Sequence, residues 1–122
     1  MRKIFALTAL VLMSTSAFAA GPTPEGTWVD KYGTSFRMKM CGDGTQLCAT
    51  LTDIQGQSRT EENLALVNRQ VIKAKQIAPN KWQGTLTMNG SQAKGTVTQV
   101  NSRTIEIQGC QLLCSTLTFT KV

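Results

Sequence analysis

Four cysteines in two tight pairs are the residues of this chain best placed to do chemistry. Six residues separate Cys41 from Cys48, and three separate Cys110 from Cys114. Paired thiols can exchange disulfides, hold a soft metal ion, or close as structural bridges. Exchange enzymes use Cys-x-x-Cys at the start of a helix, where the helix dipole lowers the thiol pKa. Neither spacing has that form, and neither pair opens a helical pattern. Zinc needs thiolates or imidazoles in a tetrahedral set. The chain has no histidine, and thiols in an oxidising compartment form disulfides first. Structural disulfides are the expectation, and no metal site is expected.

The remaining chemistry is sparse. Without histidine there is no Ser-His-Asp or Cys-His arrangement and no ordinary general base. Gly42-Asp43-Gly44 lacks the third glycine of a dinucleotide loop and leads into a strand pattern. Glu61 and Glu62 are adjacent acids, whereas glycoside hydrolysis needs two carboxylates facing each other across a bond. The reading is a non-enzyme with no catalytic residues and no cofactor.

The elements that must position the cysteines are short alternating runs, with turn signals about every ten residues. Strands are expected over 26–31, 34–41, 46–54, 69–77, 81–88, 91–99, 103–110 and 113–121. Phe36, Met38 and Met40 alternate with Arg37 and Lys39. Leu47, Ala49 and Leu51 alternate with Cys48, Thr50 and Thr52. Trp82, Gly84, Leu86 and Met88 share a face, as do Ala93, Gly95 and Val97, Ile105 and Ile107, and Leu113, Leu117 and Phe119. The fourth run is ambiguous, because Ile72, Ala74 and Gln76 compete with Val71, Lys73 and Lys75. Asn89-Gly90 suits a two-residue type I′ hairpin, where both positions take positive φ. Residues 55–68 break the alternation. Ser58-Arg59-Thr60-Glu61 fits a capping box, so one short helix is expected there, on the only connection long enough to cover a barrel end. The alternation suggests an antiparallel sandwich or barrel; the fold class expected is all-β, an eight-stranded antiparallel up-and-down barrel with one short helix.

Parity places all four cysteines on the polar, outward side. With a turn over 43–46, Cys41 and Cys48 face each other, and Cys110 faces Cys114 across its own hairpin. Four cysteines allow three connectivities; outward parity favours Cys41–Cys48 and Cys110–Cys114.

The first residues have the form of a cleavable export signal. Arg2 and Lys3 are the basic start, Ile4 to Met13 the apolar stretch, and Ala17-Phe18-Ala19 a small-x-small cleavage site. Residues 1–19 are therefore read as a signal peptide and 20–122 as one barrel domain, periplasmic or secreted. The apolar stretch is too short to span a bilayer, so no transmembrane segment is expected in the mature chain. Residues 20–25 are expected to be an extended, mobile lead-in. The formal net charge of +6 falls to +4 without Arg2 and Lys3, and the remaining cations are dispersed along the chain. That spread argues against nucleic acid and is compatible with attraction to an anionic envelope component.

Gly26-x-Trp28 opens the first strand and Lys121 closes the last. In lipocalin-like barrels a tryptophan near the start packs across one end beneath a basic residue of the final strand, so Trp28 and Lys121 are assigned to barrel-end closure. Together with Leu47-Cys48, Trp82-Gln83-Gly84, Gly109-Cys110 and Leu113-Cys114, these residues resemble an exported bacterial family, domain of unknown function 2147, over nearly the whole mature chain. Ala49 stands where that family tends to have glycine, Phe119-Thr120-Lys121 where it tends to have Trp-x-Arg, and Asn89-Gly90 where it has a longer loop. The resemblance implies a periplasmic calycin-like barrel and no particular activity.

An eight-stranded barrel is just wide enough to be filled by side chains or to hold one small ligand. The expected lining is Phe36, Met38, Met40, Leu51, Trp82, Leu86, Met88, Ile107 and Phe119, with Gly84, Ala93 and Gly95 leaving room on one wall. The functional expectation is a binder of a small apolar or lipid-like ligand. The alternative is an envelope interaction or inhibitor module that presents the stapled tips Gly42–Gln46 and Gln111–Leu113, with Leu112 as an apolar anchor. Oligomeric state is left open.

Overall fold

The computed structural model describes residues 23–122; the expected signal peptide and residues 20–22 lie outside them. The strands are β1 (Gly26–Val29), β2 (Ser35–Cys41), β3 (Gln46–Asp53), β4 (Gln70–Ala78), β5 (Lys81–Met88), β6 (Ser91–Asn101), β7 (Thr104–Cys110) and β8 (Cys114–Lys121). Each pairs antiparallel with its neighbour, and β1 pairs with β8, closing the barrel. The expected eight-stranded antiparallel barrel is therefore the fold, and not a sandwich. The seam is short, with Trp28 opposite Lys121 and Val29 opposite Thr120.

Alternation sets the two faces. In β2, Phe36 and Met38 are buried while Arg37 and Lys39 are exposed; in β3, Leu47, Ala49 and Leu51 have no solvent exposure. β4 departs from simple alternation. Ala49 pairs with Ile72 and Thr50 with Gln70, so Val71 is left over as a bulge, and both Val71 and Ile72 are buried. The bulge lets two consecutive apolar residues enter the core, which is why parity alone was ambiguous there.

Antiparallel connection puts the β1–β2, β3–β4, β5–β6 and β7–β8 links at one end of the barrel. Both termini of the barrel, with the other three turns, lie at the opposite end. That second end is sealed. The Trp28 indole N–H donates to the Pro24 carbonyl at 2.8 Å, Gln99 Nε2 donates to the Thr23 carbonyl at 3.4 Å, and the Met40 amide donates to the Glu25 carboxylate at 3.1 Å. Pro24, fully buried, is thus the plug, held between exposed Thr23 and Glu25 that are themselves hydrogen-bonded to the barrel, contrary to the mobile lead-in expected for this segment. The sequence around it is polar and short, and only the indole partner reveals that it is tied down.

The β3–β4 connection holds a 3₁₀ turn (Gly56–Ser58) and a one-turn helix, α1 (Glu61–Leu64). The cap of α1 is Thr60, whose hydroxyl accepts from the Asn63 amide at 3.2 Å. The capping box read from Ser58 is displaced by two residues, because Ser58 belongs to the 3₁₀ turn. Ile54, at the start of this connection, is fully buried, and Leu66 and Val67 pack on the core from its far side.

Both expected disulfides are present: Cys41–Cys48, with Cα atoms 5.9 Å apart, and Cys110–Cys114, with Cα atoms 4.1 Å apart. Cys110 and Cys114 are direct register partners. Cys41 and Cys48 are not. Cys41 faces Gln46 and Cys48 faces Lys39, so that bridge runs diagonally. The turn spans 42–45, one residue earlier than expected: Gly42 and Gly44 both take positive φ, while the Asp43 carboxylate accepts from the Thr45 hydroxyl at 2.6 Å and the Thr45 amide at 3.0 Å. One bridge clips each end of the barrel on its outer side.

Candidate functional site: the open end of the barrel

The end opposite the plug is open. A cavity of about 410 Å³ enters it between the β1–β2 turn, the β3–β4 connection and the β7–β8 tip. Its floor is an aromatic pair, Phe36 and Phe119, with ring centroids 5.3 Å apart and planes tilted by 58°. Such tilted contacts set the positive edge of one ring toward the negative face of the other. Leu86, Met88, Ala93, Ile107 and Leu117 form the apolar wall, and Asp30, Thr34, Gln55, Gln57 and Ser58 line the opposite, polar side.

The wall follows from small residues meeting large ones. Gly109 pairs with Ser115 across β7 and β8, and both line the cavity. A Cβ on Gly109 would stand 3.0 Å from Leu86 Cδ2, so Leu86 already leans into the space a side chain would take. The room is made by Ala93, Gly109 and Ser115. Gly84 and Gly95, expected to provide it, do not line the cavity. A Cβ on Gly84 would fall on the Lys73 carbonyl oxygen, and one on Gly95 would press on Leu86 Cβ at 3.0 Å. Gly84 is there to let β4 and β5 approach.

Of the expected lining residues, the structure brings Phe36, Leu86, Met88, Ile107 and Phe119 to the cavity. Met38, Leu51 and Trp82 are buried in the filled core, and Met40 packs against it half-buried. Trp82 is held at the plugged end by its indole N–H, which donates to the Thr45 carbonyl at 3.1 Å. Alternation identifies the inward side chains, but not which of them lie at the filled end. Leu117 is inward as expected and 41% exposed, because it stands in the mouth.

No protein-family model, curated protein or solved structure matches this chain. The chemistry of the site is therefore read from its own residues. Its rim is fastened by Asn63, which the sequence reading did not single out. Asn63 is fully buried. Its Nδ2 donates to the Ser58 carbonyl at 2.9 Å and to Asn89 Oδ1 at 2.8 Å, and its Oδ1 accepts from the Asn89 amide at 2.8 Å. The β3–β4 connection is thereby bound to the tip of the β5–β6 hairpin, so the rim is a fixed wall and not a free lid. An asparagine three places after a cap residue was the one available signal.

Among the described residues the single carboxylate on the lining is Asp30. Its Oδ1 accepts from the Tyr32 amide at 2.8 Å and the Thr34 amide at 2.9 Å, which shapes the β1–β2 turn. Among the described residues no lysine or arginine lines the cavity. At the opposite end, Lys121 Nζ lies 5.8 Å from the Trp28 ring centroid. Gly26 has φ +132°, and Lys121 Cε passes 2.9 Å from where its Cβ would be. The glycine of Gly-x-Trp is needed both for that backbone angle and for the lysine to cross above it.

The two stapled tips lie at opposite ends. Leu112 and Leu113, at the open end, are 98% and 84% exposed. Among the described residues no helix is long and apolar enough to cross a membrane.

Proposed function

We propose that this protein is an exported binder of a small, mainly apolar, uncharged molecule, held in the open end of its barrel. The carrying observation is the 410 Å³ cavity, floored by Phe36 and Phe119 and walled on one side by aliphatic groups. That volume lies within the range of small-molecule sites, at its lower end. The absence of cations from the lining argues against a carboxylate ligand such as a fatty acid. A buried anion without a partner is strongly disfavoured, and Asp30 would repel it. Amide and hydroxyl groups at Gln55, Gln57, Ser58 and Asn89 suit one neutral polar group on an otherwise apolar body. Export is supported by the Arg2-Lys3, Ile4–Met13, Ala17-Phe18-Ala19 pattern and by two disulfides, which persist in oxidising compartments. Membership of the domain of unknown function 2147 family belongs to the same proposal, resting on the motifs quoted above.

The test is fluorescence titration of purified protein with a neutral naphthylamine dye, followed by displacement with medium-chain alcohols and with fatty acids. Saturable binding, displaced by alcohols more strongly than by acids and lost in Ser115→Trp, is expected. No saturable signal, or equal loss in a variant outside the cavity, would reject the reading.

A further inference from the structure

Some of the lysines scattered in sequence share one side of the barrel. Register partners form an outward row across β4, β5 and β6: Lys73 faces Thr85 and Thr85 faces Lys94, which in turn faces Cys110 on β7. With strands about 4.8 Å apart, Lys73 and Lys94 stand two strands from each other. Lys75, two residues along β4 from Lys73, is also outward and exposed. β4, β5 and β6 contain no carboxylate. Between Lys73 and Lys75 lies a shallow depression of about 270 Å³, lined also by Gln46, Gln83 and Thr85. Cations and amide donors around a shallow hollow suit a phosphodiester oxygen.

The basic face continues into the exposed leucines. Gln111 Nε2 donates to Ser91 Oγ at 2.7 Å and to the Gln92 carbonyl at 3.1 Å, which ties the β7–β8 tip to the start of β6 beside Lys94. The Cys110–Cys114 bridge closes the base of that tip. Leu112 and Leu113 are thus held out in water next to the cationic row and at the cavity mouth.

We propose that the protein docks on an anionic phospholipid surface, with the outward face of β4–β6 over the headgroups and the Leu112–Leu113 tip inserted between them. A soluble polyanion or an acidic protein would satisfy the lysines; a bilayer also offers an apolar interior to the leucines. Electrostatic attraction plus a shallow apolar insertion is the usual two-part basis of reversible surface binding. The inference builds on the reading of the cavity as a site for an apolar molecule, which partitions into membranes, but the docking itself needs no ligand.

The experiment is co-sedimentation of the purified, oxidised protein with vesicles of phosphatidylglycerol and phosphatidylcholine, compared with phosphatidylcholine alone. Binding only to the anionic vesicles, weakening as salt rises, is expected. Lys73→Gln, Lys75→Gln and Lys94→Gln should each lower partitioning roughly fivefold, while Arg103→Gln, in the β6–β7 turn away from the face, leaves it unchanged. Leu112→Ser with Leu113→Ser should reduce it further at fixed charge. Ser115→Trp should bind vesicles as well as the parent even though it loses the dye, so failure of docking and failure of the cavity reading are told apart. Equal effects of Arg103→Gln and the face variants, indifference to the leucines, or binding to heparin or an acidic envelope protein without binding to vesicles would each overturn the proposal.

Discussion

Asn63 and Asn89 hold each other through a closed pair of hydrogen bonds, 26 residues apart in sequence. Asn63 Nδ2 donates to Asn89 Oδ1 and the Asn89 amide donates to Asn63 Oδ1, both at 2.8 Å. Asn89 has positive φ, at 55°, as the first residue of its type I′ turn. The residue that turns the β5–β6 hairpin therefore also anchors the connection that builds the cavity rim.

Replacing Asn63 by alanine strands the Asn89 amide and leaves a small void. A loss of about 2–3 kcal/mol is expected from a buried hydrogen-bond network of this size, read by urea denaturation. Hydrogen exchange at Asn89 and Arg59 should accelerate more than in the β7–β8 strands. Uniform acceleration across the barrel would contradict a local pinning role.

Gly84→Ala places a methyl group against the Lys73 carbonyl oxygen, a backbone atom that cannot step aside. The expected cost is about 3 kcal/mol. Ala93→Gly, on the cavity wall in β6, should cost about 0.5–1 kcal/mol. If both variants unfold at the same denaturant midpoint, β4 and β5 are not as close as described.

At the plugged end, Lys121→Met keeps the stem over Gly26 and removes the charge above Trp28. About 0.5–1 kcal/mol should be lost, with a shift in tryptophan emission. Gly26→Ala should cost more, about 1–3 kcal/mol, because its φ of +132° excludes a side chain. A milder effect for Gly26→Ala than for Lys121→Met would contradict this ranking.

Each disulfide closes a short loop, so removing either pair by double serine substitution should cost only about 2–2.5 kcal/mol. The two should differ in function. Loss of Cys110–Cys114 frees the tip beside the cavity and should alter dye affinity, while loss of Cys41–Cys48, at the far end, should leave it intact. Thermal melts and dye titrations on both variants check this.

Asp43 titrates below its ordinary 3.8, chiefly because the Thr45 hydroxyl and then the Thr45 amide donate to its carboxylate. A group lowered in the folded state adds stability above its unfolded value, and that contribution fades as pH falls through the folded one. The carboxyl resonance of Asp43 should therefore show a midpoint under 3.8 that moves upward in Thr45→Val. An unmoved midpoint would mean that the hydroxyl bond is absent in solution.

Much of this molecule was legible in its residues. Period-two alternation in β2, β3, β7 and β8 identifies inward and outward side chains, since successive Cβ atoms must point to opposite faces. The same parity put all four cysteines outside and made the two local bridges the favoured pairing. Asn89-Gly90 marked its hairpin because few residues tolerate positive φ at two successive positions. Alternation failed where the ladder is irregular. Val71 and Ile72 both enter the core through a bulge, and the diagonal course of Cys41–Cys48 depends on the turn falling over 42–45, where Gly42 and Gly44 take positive φ.

Strand number, facing and bridge partners were thus determined by local sterics and spacing in the chain itself, whereas the Trp28–Lys121 relation was implied by the likeness to lipocalin-like barrels. Only the closed tertiary structure decided that Met38, Leu51 and Trp82 fill the interior while Phe36, Leu86, Ile107 and Phe119 border an empty one. It also decided that Asn63 fastens the rim and that distant lysines form one face. The reason is geometric: a residue's height within a barrel, and its neighbours two strands away, depend on strand stagger and on the summed volumes of all eight strands, which no single stretch of sequence contains.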